Sequence, residues 1–292
     1  MPMISYDYTQ LLKKGSDDMV FKTLNNDIHI PQLGYGVWKI PNEEATESVK
    51  TALDAGYRLI DTAMIYGNEQ GVGEALAKSG VPRKELFITT KVWNADQGYD
   101  NTLKAFDTSL AKLELDYVDL YLVHWPTPKY DEYVETYKAL EKLYQEGRTR
   151  AIGVCNFDIE HLERLIDECD IIPAVNQVEC HPYLQQKELK DFCNKHGIVL
   201  EAYSPLMNGT KVLEDSVINN IAKQYNKTAA QVILRWHLQS DVIVIPKTVT
   251  PARMKENLDI LDFELTESDM KKIAELDRGE RHNSIPSEMN IR

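Results

Sequence analysis

Apolar and polar positions alternate along this chain in two rhythms. Short β-rich runs occur at residues 33–38, 57–63, 86–93, 118–125, 150–157, 174–180, 198–204 and 241–247. Between them the apolar residues recur at helical spacing, as at 100–115. Asn42 is the expected N-cap of a first helix that ends at Gly56. The gap between the seventh and eighth runs has room for two helices, the second capped by Thr228, and further helices are predicted after Pro251 and Thr266. Ahead of the rhythm, FKTLNNDIHIP at 21–31 reads as a hairpin, with Asn25 and Asn26 in its turn because asparagine tolerates left-handed backbone.

Eight strands alternating with helices, with no linker between them, predict an all-parallel sheet. Runs such as VDLYLVHW are apolar almost throughout, as expected when both faces are covered. The expectation is an α/β fold, a closed (β/α)8 TIM barrel with an N-terminal hairpin and extra helices after strands seven and eight. Residues 20–292 would be one domain, and 1–19 an N-terminal tail or short first helix, with Met19 an alternative start. A doubly wound sheet is the rival. It would carry a Gly-rich phosphate turn after its first strand. The nearest approach, Gly71-Val72-Gly73, lacks the third glycine and the preceding strand. P-loop, G-x-S-x-G and H-E-x-x-H patterns are absent.

A 292-residue chain at 43% hydrophobic can build one large barrel core. The net charge of −13 argues against nonspecific nucleic-acid binding and against an anionic membrane surface. The four cysteines form no C-x-x-C pair and no zinc-spaced cluster, so no metal is expected and a reducing, cytoplasmic setting is. No apolar run approaches the ~20 residues of a membrane span.

In a (β/α)8 barrel the chemistry collects at the C-terminal ends of the strands. In order, the predicted ends carry Trp38; Asp61 followed by Tyr66; Lys91 and Trp93; His124 and Trp125; Asn156; Gln177; Tyr203 and Ser204; Lys247 and Thr248. A lysine inside ITTKVW is costly to bury alone, and Asp61 on the neighbouring strand is its natural partner. Such a cation beside Tyr66 would lower the phenol pKa and make it a proton donor near neutral pH. His124 would hydrogen-bond the same substrate oxygen. Taken singly, Asp61–Lys91 fits a structural ion pair, His124 a core histidine and Tyr66 a turn residue. Together they suit protonation of a carbonyl oxygen while a nicotinamide or flavin supplies hydride, which no side chain can do. Farther on, Thr250-Pro251 opens a helix flanked by Lys247 and Arg253, an anion site suited to the 2′-phosphate of NADP.

These residues resemble the aldo-keto reductase superfamily over nearly all of 20–283. Within it they resemble the branch of bacterial diketogluconate and glyoxal reductases and prostaglandin F synthases. The matching stretches are GYRLIDTAMIYGNEQGVG, ITTKVW, YLVHWP, AIGVCNF, NQVECHPY, AYSPL and IPKTVTPARMKEN. The resemblance implies a metal-free barrel, monomeric or weakly associating, that reduces aldehydes and ketones with NADPH. It makes Tyr66 the general acid, Lys91 and Asp61 the pair that tunes it, and His124 the residue orienting the carbonyl. Asn156 and Gln177 would hold the nicotinamide carboxamide, Tyr203 would stack on the ring, and Ser204 and Leu206 would line the pyrophosphate. Lys247, Thr248, Arg253, Glu256 and Asn257 would contact the adenosine 2′-phosphate and adenine. Trp38, Trp93 and Trp125 would wall the substrate pocket.

Three departures stand out. Cys155 replaces a usual serine beside Asn156, and a thiol is the weaker hydrogen-bond partner. The loop after Leu206 is short, which favours fast cofactor exchange. The short segment HNSIPSEMNIR leaves the pocket open and favours small aldehydes, dicarbonyls such as methylglyoxal or keto-sugars over steroids. Two other readings remain at this point. One is an NADPH-binding redox sensor without turnover. The other is a Schiff-base lyase using Lys91, which a neighbouring aspartate opposes by holding the amine protonated.

Overall fold

The computed structural model describes residues 19–292, so the expectations for the first eighteen residues lie outside it. Strands β1 (Phe21–Thr23) and β2 (His29–Pro31) pair antiparallel. Eight parallel strands follow: β3 (Tyr35–Gly36), β4 (Leu59–Asp61), β5 (Phe87–Val92), β6 (Val118–Val123), β7 (Thr149–Cys155), β8 (Val175–Glu179), β9 (Val199–Tyr203) and β10 (Ile243–Val244). They pair in chain order, and the sheet closes on itself. Leu33 bridges Val244 in parallel, and Val244 N–H donates to the Gln32 carbonyl at 2.9 Å.

Helices α1 (Asn42–Ala55), α2 (Glu69–Lys78), α3 (Tyr99–Leu113), α4 (Tyr133–Gln145), α5 (Ile159–Glu168) and α6 (Lys187–Lys195) follow β3 to β8 in turn. Two helices, α7 (Ser216–Tyr225) and α8 (Ala229–Gln239), separate β9 from β10; α9 (Pro251–Leu258) and α10 (Glu267–Ala274) come after it. Thr228 caps α8 in a capping box with Gln231, and Thr266 caps α10 by accepting from Asp269 N–H. Gly56, at φ 120°, ends α1 in the left-handed region that glycine alone enters freely.

Some local expectations differ. Pro41, not Asn42, precedes α1; the Asn42 Oδ1 instead accepts the Gly71 N–H at 2.9 Å, tying α1 to α2. Helix α3 stops at Leu113, where Glu114 turns left-handed, two residues short of the expected end. In the hairpin, the left-handed residue is Asp27. Asn25 and Asn26 use their amides to hold the barrel rim, donating to the carbonyls of Pro173 and Arg150. The Gly71–Gly73 pair serves packing, not phosphate: a Cβ on Gly73 would sit 2.5 Å from the Leu113 carbonyl oxygen.

The barrel interior is layered. Leu24 and Ile30 of the hairpin close its lower end over Leu59, Phe87, Leu120, Val175 and Val199. Higher up, the inward positions become polar: Asp61, Lys91, Cys155, Gln177 and Glu201, all buried. This is the floor of the site.

Candidate active site

Lys91 is fully buried at the centre of that floor. Its Nζ donates to both Asp61 oxygens, at 2.7 and 2.9 Å, and to the Thr62 carbonyl at 2.8 Å. All three ammonium protons are thereby used. Burial works against this charge, but Asp61 outweighs it and the ammonium pKa lies above its usual value. Gln177 reaches from the opposite wall to donate to Asp61 Oδ2 at 2.8 Å.

The turn after β4 is a single 3-10 turn, Met64–Tyr66, closed by Gly67 in the left-handed region. It carries the Tyr66 ring back over the floor, with Lys91 Nζ 5.2 Å from the ring centroid. The His124 ring stands edge-on to Tyr66 at 5.8 Å and to Trp93 at 5.3 Å. Burial, then the charge of Lys91, hold the imidazole well below its usual pKa, so it is neutral at neutral pH. The sequence argument for Tyr66 needs correction. Burial pushes the phenol pKa up, and Lys91 pulls it back without offsetting that rise. Tyr66 therefore stays protonated through the neutral range.

Above the floor opens a cleft of about 1470 Å³. Every expected site residue except Lys91 lines it; Lys91 lies beneath. Trp38, Trp93 and Trp125 form one end, with Ile65 and Met289. In the middle, Tyr203 donates through its hydroxyl to Asn156 Oδ1 at 2.7 Å, and Asn156 Nδ2 lies 3.2 Å from the Cys155 sulfur. Ser204, Leu206 and the short loop through Gly209 edge the cleft. At the far end α9 starts with Pro251 in its first turn, beside Lys247, Thr248 and Arg253. Among the described residues neither Lys247 nor Arg253 has an ion-pair or hydrogen-bond partner, which is unusual in a chain this acidic. Glu256, by contrast, accepts from Thr228 Oγ1 at 2.7 Å, and Asn257 is buried.

The C-terminal segment, expected only to be short and to leave the pocket open, is anchored at both ends as a strap. Glu179, buried at the end of β8, accepts the N–H groups of His282 at 2.7 Å and Asn283 at 2.9 Å. Asn94 Nδ2 holds the Ile291 carbonyl at 2.7 Å. The chain between crosses the cleft mouth and adds His282, Asn283, Ser284 and Met289 to its wall. An irregular segment has no period to betray it; the signal was a glutamate at an inward position of β8, too costly to bury without donors.

The fold and floor define a (β/α)8 barrel whose upper end joins a buried Lys91–Asp61 pair beneath the Tyr66 ring to a long cleft that reaches Lys247 and Arg253. The profile of the Aldo/keto reductase family matches residues 32–278, and the chain belongs to that family. It is 55% identical to a glyoxal reductase of Bacillus subtilis over 91% of this chain and 96% of the relative. It is 54% identical to the methylglyoxal reductase DkgA of Yersinia pestis, over 88% of this chain and 92% of the relative. A crystal structure of a single-residue mutant of Gox0644 in complex with NADPH superposes with a TM-score of 0.89 at 45% identity, covering 93% of this chain and 98% of that one.

Proposed function

We propose that this protein is an NADPH-dependent reductase of aldehydes and ketones, with Tyr66 as the general acid. The observation that carries the reading is the half-buried Tyr66 ring above a fully buried Lys91–Asp61 pair, in a cleft that runs on to two unpaired cations at a helix N-terminus. The residues fit the cofactor. Lys247, Arg253 and the first N–H groups of α9 suit a phosphate. Asn156 and Gln177 suit a carboxamide, and the Tyr203 face suits stacking on a ring. NADPH, when bound, supplies the hydride.

The chain's own residues would do the rest. Neutral His124 orients the carbonyl oxygen without competing for its charge. Tyr66 gives its proton to that oxygen as negative charge develops there. A phenol with a raised pKa is still far more acidic than the alcohol formed, so the transfer runs downhill. The ammonium of Lys91 stabilises the resulting tyrosinate, and solvent restores the proton. Trp38, Trp93 and Trp125 offer apolar walls and one acid, which suits small aldehydes, dicarbonyls such as methylglyoxal, or keto-sugars. The names of the glyoxal and methylglyoxal reductase relatives support that substrate class. In this reading the enzyme works as a monomer in the cytoplasm, on small molecules alone.

The test is Tyr66→Phe, assayed for NADPH binding by fluorescence and for methylglyoxal-dependent NADPH oxidation. Binding retained with turnover reduced by about 10²–10⁴-fold is expected. Near-full turnover in the variant would end the assignment of Tyr66. Tight NADPH binding by the unaltered protein without turnover on any carbonyl would favour the sensor.

A further inference from the structure

Among the buried acids that the catalytic reading leaves unused, Glu201 lies nearest its floor. Glu201 lies on β9, its Cα paired with Gln177 on β8 and Ile243 on β10. Its neighbours in register face inward, so its side chain enters the barrel one pleat below Tyr203. It is fully buried, and neither carboxyl oxygen has a hydrogen-bond partner among the described residues. The Gln177 amide lies near enough to favour its anion slightly, but that amide donates to Asp61. Asp61 also accepts twice from Lys91.

At the level of the floor the interior therefore holds two carboxyls and one ammonium; Glu179, one pleat higher on β8, is an anion matched separately by the N–H groups of His282 and Asn283, by His181 and by Arg281. The other groups facing this space do not alter that balance. Burial holds the Cys155 thiol of β7 neutral, Gln177 is uncharged, and β10 presents Ile243 and Ile245. On β6, Leu122 and then neutral His124 face in. If both carboxyls ionised, the dry floor would carry net negative charge. The carboxyl without donors is the costlier one to ionise. The spare proton thus sits on Glu201. Burial, then the Asp61 charge, push its pKa up to about 8.

We propose that Glu201 is a positioning residue for proton transfer: it is neutral while carbonyls are reduced, and its ionisation at alkaline pH sets a second negative charge beside Asp61–Lys91 that weakens Tyr66 as an acid. The inference rests on the reading of Tyr66 as proton donor. The sign follows from the charges. Donation by Tyr66 creates a tyrosinate, which Lys91 stabilises and an ionised Glu201 destabilises. The proton that Glu201 loses goes to solvent, so the reaction itself stays balanced.

The experiment compares single-turnover reduction of methylglyoxal by NADPH-loaded wild type and Glu201→Gln across pH, each normalised to its own acid plateau. The wild-type rate should fall above about pH 8. The variant's fall should lie higher, opening a gap of about tenfold near pH 9.5, one pKa unit of coupling. Coincident profiles would overturn the proposal. Infrared difference spectra, wild type minus variant, give a second readout independent of turnover. A neutral carboxylic-acid band at pH 7 that vanishes at alkaline pH is expected, and its absence at pH 7 would also overturn it. If Glu201→Gln fails to fold, Glu201→Leu carries the same comparisons. A wild type that oxidises no NADPH would end the reductase reading, whereas coincident profiles in active enzymes would remove only the role of Glu201.

Discussion

Removing the charge of Lys91 probes the floor of the site most directly. In Lys91→Met the side-chain volume is roughly kept while three hydrogen bonds of 2.7 to 2.9 Å are lost. Asp61, only 2% exposed, keeps the single donor Gln177. Breaking a buried pair by deleting one partner costs about 3–5 kcal/mol. The mirror variant, Asp61→Asn, should cost less. There Glu201 can release its proton and supply the counter-charge. With the Asp61 charge gone, one of the causes that keep Glu201 protonated is removed, so that release costs little at pH 7. The double variant leaves a neutral interior and should lose less than the two singles added together, by about 2 kcal/mol or more. Urea unfolding of the cofactor-free protein, followed by the fluorescence of its four tryptophans, measures all three. Additive single losses, or an Asp61→Asn loss as large as that of Lys91→Met, would refute the reasoning.

Three further outcomes are expected. Burial lowers the pKa of His237 to about 3, and neither of its ring nitrogens has a hydrogen-bond partner among the described residues. Because the folded value lies below the unfolded ~6.5, its contribution to stability is complete above that pH and is lost as pH falls from there toward 3; His237→Phe should flatten the slope of unfolding free energy by up to ~1.4 kcal/mol per pH unit. Gly73→Ala places a methyl 2.5 Å from the Leu113 carbonyl, so α2 and α3 must separate; a loss of about 1–3 kcal/mol with unchanged NADPH affinity is expected from urea unfolding and fluorescence titration. Arg253→Ala should weaken NADPH binding by roughly tenfold or more and leave NADH binding nearly unchanged, since charge-assisted hydrogen bonds contribute about 1.5–3 kcal/mol; equal losses for both cofactors would remove Arg253 from the phosphate site.

The barrel was legible because its strands repeat one local device. On the inward face, apolar residues give way to polar ones in a step of two: Leu59 to Asp61, Leu122 to His124, Val175 to Gln177. Period two and strand ends are local properties, so they survive in the sequence. The ends read as Asp61, Lys91, Asn156 and Gln177 all lie in or under the one cleft. Illegible features depend on what the chain meets elsewhere. Asn42 looks like a cap, yet its partner is Gly71 on the next helix. The sign of the Tyr66 shift depends on how far burial outweighs Lys91, and spacing carries no measure of depth. Glu201 read as one polar letter in a strand. Only the register across β8 and β10 turns it inward.

The same dryness links cost and use in this floor. The hairpin residues Leu24 and Ile30 seal the barrel from below, so the polar layer above them is open only toward the cleft. In such surroundings a pair of charges interacts far more strongly than in water, and an unmatched charge is correspondingly expensive. The chain meets that expense with paired Asp61 and Lys91 and with an odd carboxyl that keeps its proton. It gains a tyrosine whose proton is held at rest and whose anion an ammonium 5.2 Å from the ring centre would stabilise. A raised phenol pKa keeps Tyr66 protonated at neutral pH, and a lowered imidazole pKa keeps His124 from taking that proton. The protonation states that the proposed reduction needs are thus set by the order of burial along the strands as much as by the identity of the residues at their ends.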